Sequence, residues 1–305
     1  MSARIVVVGD ALIDELRDDT GVREFVGGAA LNVAVGLSRL GVATTLIAMV
    51  GDDQAGAHIR SYLADFGVEL LATPSPLGSS RAVSTRSAGG EPEYAFNEAA
   101  RARRIRFGDA ERQAITDAAM VVVSCFPFDD APQTGELAAA VAAASTALVI
   151  DPNPRAGRLH DRDAFVRGFE RLAARATLVK VGEDDATLLY RGSLDDLRAR
   201  LLDAGAGVVL ATYGAGGAAI DAGDDTVTRP ISPLPGPVID TMGAGDAVLA
   251  AAVSLLRERM PADPDEWGAV LQRAMDVAAA TCRFEGALLR LPKALDGVDL
   301  DRLDT

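Results

Sequence analysis

Within the stretch Asp240-Thr241-Met242-Gly243-Ala244-Gly245-Asp246, glycines, a hydroxyl and two carboxylates sit immediately before the apolar run Ala247-Val248-Leu249-Ala250. A glycine turn that opens a helix lets the backbone approach a ligand without interference from side chains. The first N–H groups of that helix have no intrahelical partner and carry partial positive charge. Gly243, Ala244 and Gly245 can therefore form an anion hole for a transferring phosphoryl group. Asp246, in the first turn, can accept the proton of an attacking hydroxyl. A helix N-terminus favours the carboxylate, so the sequence predicts a low pKa and a weak base that acts late in the transfer. The plainer alternative is an acidic residue completing a helix dipole; the two glycines and Asp240-Thr241 favour the chemical reading.

Two other phosphate motifs are excluded. A Walker A loop needs a lysine after a glycine, and the only lysines, Lys180 and Lys293, follow Val179 and Pro292. A dinucleotide fingerprint needs Gly-x-Gly-x-x-Gly after the first strand, where this chain has Gly9-Asp10-Ala11-Leu12. A second glycine-led helix runs through Gly27-Gly28-Ala29-Ala30-Leu31-Asn32 to Gly41. Asn32 is a poor helix former whose amide needs a partner, either a sugar hydroxyl or a neighbouring loop. Asp14, soon after the first apolar run, offers another hydroxyl acceptor or a plain surface charge.

These residues need elements to position them. Short apolar runs at Ile5 to Val8, Thr45 to Val50, Met120 to Val123, Ala147 to Ile150, Thr177 to Val181 and Val208 to Ala211 suit strands buried on both faces. Segments of helical spacing lie between them, such as Leu31, Val35 and Leu37, or Ala138 to Ala144. The alternation predicts an α/β fold with a mostly parallel sheet and helices on both faces, as a single domain over 1–305. Residues 12–26 and 80–98 break the pattern. The second reads as a hairpin, Arg81 to Arg86 and Glu93 to Phe96 around Gly89-Gly90, and the two together predict a small β flap. Asp151-Pro152-Asn153-Pro154 marks a sharp turn after a strand, at the edge where open parallel sheets bind ligands.

The formal net charge of −14 argues against nonspecific nucleic-acid binding, so an anionic ligand needs a dedicated local site. Lys180, in a chain whose positive charge is nearly all arginine, is a candidate for it. No apolar run is long enough to span a bilayer, and Gly9-Asp10 interrupts the first run too early for a signal peptide. Cys125 and Cys282 read as reduced core thiols. The expectation is a cytoplasmic protein.

Gly27 to Gly41 and Asp240 to Asp246 resemble the two signatures of the ribokinase-like (PfkB) carbohydrate kinases, in the family's order. Gly51-Asp52-Asp53, Asp151 to Arg155, Lys180, Thr212 to Gly217 and Gly286 also fall where the family has similar residues, so the resemblance spans nearly the whole chain. It implies a three-layer α/β core with a β-sheet lid, and transfer of a phosphoryl group from Mg-ATP to a primary hydroxyl of a sugar. By the same resemblance Asp246 is the base and Gly243 to Gly245 form the anion hole. Asp14, Gly27, Gly28 and Asn32 bind the sugar, joined by Asn97, Asn153 and Arg155. Lys180, Thr212, Gly214, Gly217 and Ala279 serve the nucleotide. Asp185 orders Mg²⁺ through water, and the region of Asp240 and Gly286 offers a site for K⁺. The partners implied are a sugar, ATP and a second copy of the chain, paired through the lids.

The chain also departs from the family. Where the family usually has Asn-x-x-Glu, this sequence reads Gly182-Glu183-Asp184-Asp185, keeping one charge on a shorter arm. Asn97 stands where many sugar kinases of this type have arginine. Gly9 to Asp14 and Asp151 to Arg155 look most like the fructokinase branch, making fructose the first acceptor expected, with ribose, 2-keto-3-deoxygluconate or a nucleoside as alternatives. A catalytically silent sugar-binding protein is a competing reading, motivated by Gly182 and opposed by Asp246. A nicotinamide dehydrogenase shares the alternating pattern but lacks the fingerprint.

Overall fold

The computed structural model describes residues 4–18, 21–85, 93–144 and 146–296. Along the chain the strands are β1 (Ile5–Gly9), β2 (Leu12–Asp18), β3 (Gly21–Gly27), β4 (Thr44–Gly51), β5 (Glu69–Ser75), β6 (Ser80–Thr85) and β7 (Glu93–Phe96). They continue as β8 (Met120–Ser124), β9 (Ala147–Asp151), β10 (Leu178–Gly182), β11 (Val208–Thr212), β12 (Ala218–Ala222) and β13 (Asp225–Arg229). The main sheet has the order β13-β12-β11-β10-β9-β8-β1-β4-β5. From β11 to β5 every pairing is parallel, while β12 and β13 form an antiparallel edge.

The continuous apolar runs follow from burial on both faces. Val6 and Val8 of β1 join Val121, Val123 and Ile150 in one core, with the helices Ala131–Ala144 and Arg162–Ala173. Ile5 and Val7 face the other core, with Leu46, Val122 and the helices Ala29–Arg39, Ala244–Leu256 and Pro264–Thr281. Alternate residues of one strand thus feed two hydrophobic layers, and polar positions are excluded from both. All six expected strands are present. Of the three extra ones, β5 and β13 have less continuous burial, while β12 is buried but carries Asp221 within its short run.

The two irregular stretches pair with one another into a separate four-stranded sheet, β3-β2-β6-β7. Strand β2 pairs antiparallel with β3 and parallel with β6, and β6 pairs antiparallel with β7 as the hairpin pattern predicts. The hairpin's Gly89-Gly90 lies outside the described residues. On the main sheet, the ends of β1, β8, β9, β10 and β11 lead into Asp10, Cys125, Asn153, Glu183 and Gly214, all on the C-terminal edge where crossover connections leave a crevice.

Candidate active site

The helices Ala29–Arg39 and Ala244–Leu256 cross closely; a Cβ on Gly36 would lie 3.0 Å from that of Ala250. This crossing joins the two glycine-led segments. Asn32 donates from Nδ2 to Asp246 Oδ2 at 2.8 Å, across 214 residues of sequence. Asp246 itself is 8% exposed. The expected low pKa is overturned: burial pushes the carboxyl up to about 7, with Asp151 adding to the rise, against lowering by the Asn32 amide and by Lys180 and Arg155. Desolvation of the whole group outweighs the helix terminus, and the carboxyl is poised to exchange a proton near neutral pH.

The turn before it has the conformation the motif suggested. Gly243 has φ 74° as the N-cap residue, and a Cβ there would sit 2.7 Å from Ala287 Cα. An alanine at 243 meets both a left-handed backbone and a clash, so Gly243→Ala is expected to lower kcat about a hundredfold in an ADP-release assay and to lower the melting temperature. Asp240 ties this turn to the C-terminal segment, accepting from Met242 N at 3.0 Å and Gly286 N at 3.0 Å.

Lys180 lies against Gly245, its Nζ 3.0 Å from where a Cβ would stand, and ion-pairs with fully buried Asp151 at 3.3 Å. Burial works against the ammonium, yet Asp151, Asp185 and Asp246 together raise its pKa. Asp185 is buried, accepts from Gly182 N at 2.6 Å, and is pushed upward mainly by desolvation. Lys180 therefore pairs with one buried carboxylate and lies within electrostatic reach of two more at the edge of a cavity of about 650 Å³.

That cavity brings together most of the predicted residues. Its lining includes Asn153, Arg155, Lys180, Asp185, Thr212, Gly214, Gly217, Gly243 to Asp246 and Ala279. Asn153 adopts the left-handed φ of 38° in the turn after β9, a conformation asparagine tolerates better than most residues. Around Ala279 the wall turns apolar, with Ile231, Val238, Met275 and Ala278.

Other predicted residues lie beside the cavity, at the foot of the small sheet. Gly28 is the N-cap of the helix that carries Asn32. Gly27 leaves room for Asp14; a Cβ there would come within 2.2 Å of Asp14 Oδ2. Burial and the neighbouring Asp10 push the Asp14 carboxyl up to about 6. Asn97 behaves differently. It caps a short helix by accepting from Ala100 N, and also bonds the main chain of Arg81 and Ser79, so its amide is occupied by backbone.

Sequence reasoning overlooked three residues next to this site. Asp10 accepts from Ala30 N and from Arg158, which approaches at 2.9 Å, with Arg103 3.8 Å away. Arg158 also stacks under Phe96 of β7, 4.9 Å from the ring centre. Only Asp10 had a local signal, as the charged residue ending a buried strand; the arginines reach it through the tertiary fold.

The family model for pfkB family carbohydrate kinases matches residues 2–294. The chain belongs to that family. The kinase is 31% identical over 281 residues to a fructokinase of Rhizobium leguminosarum bv. trifolii, covering 86% of this chain and 84% of that one. It is 24% identical over 307 residues to an ATP-dependent 6-phosphofructokinase of Thermoanaerobacterium thermosaccharolyticum, covering 94% and 90%. In fold the kinase is similar to the crystal structure of a fructokinase from Xylella fastidiosa with bound ATP, at a TM-score of 0.80, 22% identity and 94% coverage of each chain. As a member of this family the protein is a sugar kinase, a phosphotransferase with an alcohol group as acceptor.

Proposed function

We propose that this kinase transfers the γ-phosphoryl group of ATP to a primary hydroxyl of a sugar, with Asp246 as base, Gly243 to Gly245 as anion hole, and fructose as a neutral acceptor. The observation that carries this reading is the Asn32–Asp246 hydrogen bond, which joins the acceptor side to the base at the mouth of the cavity. The likeness to the Rhizobium fructokinase supports fructose. Asp14, Gly27, Gly28, Asn32, Asn153 and Arg155 face the acceptor. Lys180, Thr212, Gly214, Gly217 and Ala279 line the nucleotide's half.

In the transfer Asp246 takes the hydroxyl proton as the oxygen–phosphorus bond forms. The freed N–H groups of the turn at Gly243 receive the phosphoryl oxygens, and Lys180 offsets the charge building beside Gly245. Among the described residues no three His, Cys, Asp or Glu side chains converge on a metal position. Mg²⁺ commonly binds through phosphates and water with one or two carboxylates, and Asp185, at the cavity wall, is the carboxylate that would order that shell. Mg²⁺ when bound neutralises phosphate charge. Asp240 spends its carboxylate on Met242 and Gly286, so a K⁺ ion in that region would lean on neighbouring carbonyls. Rates compared in potassium and in a bulky organic cation test that site.

The reading is tested by ADP release with Mg-ATP across fructose, ribose and nucleosides; silence on all of them removes the kinase assignment. Asn32→Ala removes a donor that lowers the Asp246 pKa, so the acid limb of kcat/KM is expected to move to higher pH and the acceptor KM to rise. An unmoved limb would detach Asn32 from the base. The reaction draws on ATP and free sugar, which the cytoplasm supplies, and this supports a cytoplasmic kinase. No helix among the described residues is long and apolar enough to cross a membrane. A homodimer paired through the small sheets would cover Val22 of β3, which is 61% exposed; sedimentation measures it.

A further inference from the structure

Asn97, expected from the family resemblance to meet the acceptor, spends its amide on main chain instead. Its Oδ1 accepts from Arg81 N at 3.0 Å and Ala100 N at 2.9 Å, and its Nδ2 donates to Ser79 O at 2.9 Å. Ser79 and Ala100 are buried, so turning the amide toward a sugar would strand polar groups away from water, which is costly. From Ser79 the bonding continues into the core. Ser79 donates from N and from Oγ to Asp53 at 2.8 and 2.6 Å, and its Oγ accepts from Gly51 N at 3.1 Å. Asp53 is the N-cap of the helix Gln54–Asp65, where it accepts from Gly56 N at 2.7 Å. A run of side chains thus joins the border of the small sheet to a helix of the main layer.

Both ends of this run sit where the chain changes sheets. Ser79 immediately precedes β6 and Asn97 immediately follows β7, the two strands of the hairpin. The crossing is tight on the core side, where a Cβ on Gly51, the last residue of β4, would lie 2.5 Å from the Gly78 carbonyl carbon and from Ser79 N. A shift at Ser79 therefore passes into β6. From β6 it reaches β2, which pairs with it in parallel, Leu12 opposite Ser80 and Asp14 opposite Ala82. Arg81 widens the coupling, its Nη1 meeting Glu15 of β2 at 3.4 Å and Glu24 of β3 at 2.5 Å. Hydrogen-bonded strands tied in this way carry a displacement as one body, and Asp14 moves with them.

We propose that Asp53, Ser79 and Asn97 are positioning residues that fix the small sheet against the core, and that they set the affinity for the acceptor through Asp14 without touching the sugar. The proposal rests on the kinase reading and gives Asn97 a role other than sugar contact. The nucleotide's half of the cavity is built from the ends of β10 and β11 and from the helix Pro264–Thr281, none of which belongs to the run. Affinity for ATP should therefore be indifferent to it.

The test compares Asn97→Asp, Ser79→Ala and the double variant with the unaltered protein. Aspartate keeps both bonds accepted by Oδ1 and loses only the donor to Ser79 O, which separates the bridge from the helix cap. Amide hydrogen exchange of the full chain without ligand should quicken about tenfold over residues 12–16 and 80–84 in each variant and stay unchanged in β1 and β8. ADP release with Mg-ATP on fructose and on ribose should show an acceptor KM raised about five- to tenfold, with kcat and the ATP KM held within about twofold. The double variant should match the more affected single one, because both substitutions break the same run. A raised acceptor KM in Asn97→Asp beside a normal one in Ser79→Ala overturns the proposal and makes Asn97 a direct sugar ligand. Unaltered exchange in the small sheet, additive KM effects, or an equal rise in the ATP KM each overturns it too and leaves the kinase intact. Silence of the unaltered protein on both sugars removes the kinase reading and this one with it.

Discussion

Asp246→Asn is expected to lower kcat by about a thousandfold, within the range set by loss of a general base, while acceptor binding stays measurable by calorimetry. The same variant should melt at a higher temperature than the unaltered protein at pH 8. Both effects have one cause. Burial lifts the carboxyl from 3.8 to about 7, so its ionised form, needed for catalysis, is disfavoured by the fold. The sign follows from proton linkage. Between about pH 4 and pH 7 the folded chain holds a proton on Asp246 that the unfolded chain has released, so this group's contribution to stability falls as pH rises through that window. Asparagine has no such dependence. The gain in melting temperature should therefore be largest above pH 7 and shrink toward pH 4. The acid limb of the unaltered protein's kcat/KM should bend near pH 7. Retained turnover, or a limb near pH 4, would remove Asp246 from its role.

The candidate for that base stood out in the sequence, whereas the burial that lifts its pKa did not. A glycine turn running into an apolar helix is a local signal, and so is the second one at Gly27-Gly28. Their meeting through Asn32 depends on two helices crossing at Gly36 and Ala250, which no spacing within either motif announces. The pKa depends further on what those helices cover. Helix-terminus reasoning weighs only the first turn of N–H groups, and here the burial of the carboxyl counts for more. The strands divide in the same way. Runs such as Met120 to Val123 betray themselves because two cores force every residue to be apolar. Strand β13, exposed at Asp225, Thr226 and Thr228, carries no such mark. Asn97, expected to meet the acceptor, has its amide engaged by the backbone of Arg81, Ser79 and Ala100. The arginines around Asp10 were beyond local reading altogether, since Arg158 and Asp10 stand 148 residues apart.

Lys180→Met is expected to have the largest effect on stability, and the size of that effect should depend on pH. Nζ ion-pairs with Asp151 and faces Asp185 and Asp246, all three nearly or fully buried. Methionine fills similar volume but removes the ion-pair partner of Asp151, leaving Arg155 as the remaining cation acting on Asp185 and Asp246. Removing one partner of a buried pair costs about 3 to 5 kcal/mol, because the remaining charge stays desolvated. In the unaltered protein the Lys180 contribution is constant across neutral pH. Its folded pKa is raised above 10.5, so the contribution is complete below that value and is lost only as pH climbs through the folded pKa. In the variant the carboxylates can relieve the imbalance by taking up protons. Asp185 and Asp246, already pushed upward, would protonate as pH falls, so the melting-temperature deficit should be large at pH 8 and smaller at pH 5.5. Thermal melts of both proteins at the two pH values measure it. A deficit independent of pH would mean that Lys180 acts through packing alone. Turnover should be lost at either pH, because the ammonium stands 3.0 Å from where a Gly245 Cβ would sit, beside the proposed anion hole. Arginine at this position keeps the charge but needs a longer, planar reach inside a buried pair, so Lys180→Arg should recover stability at pH 8 better than it recovers rate.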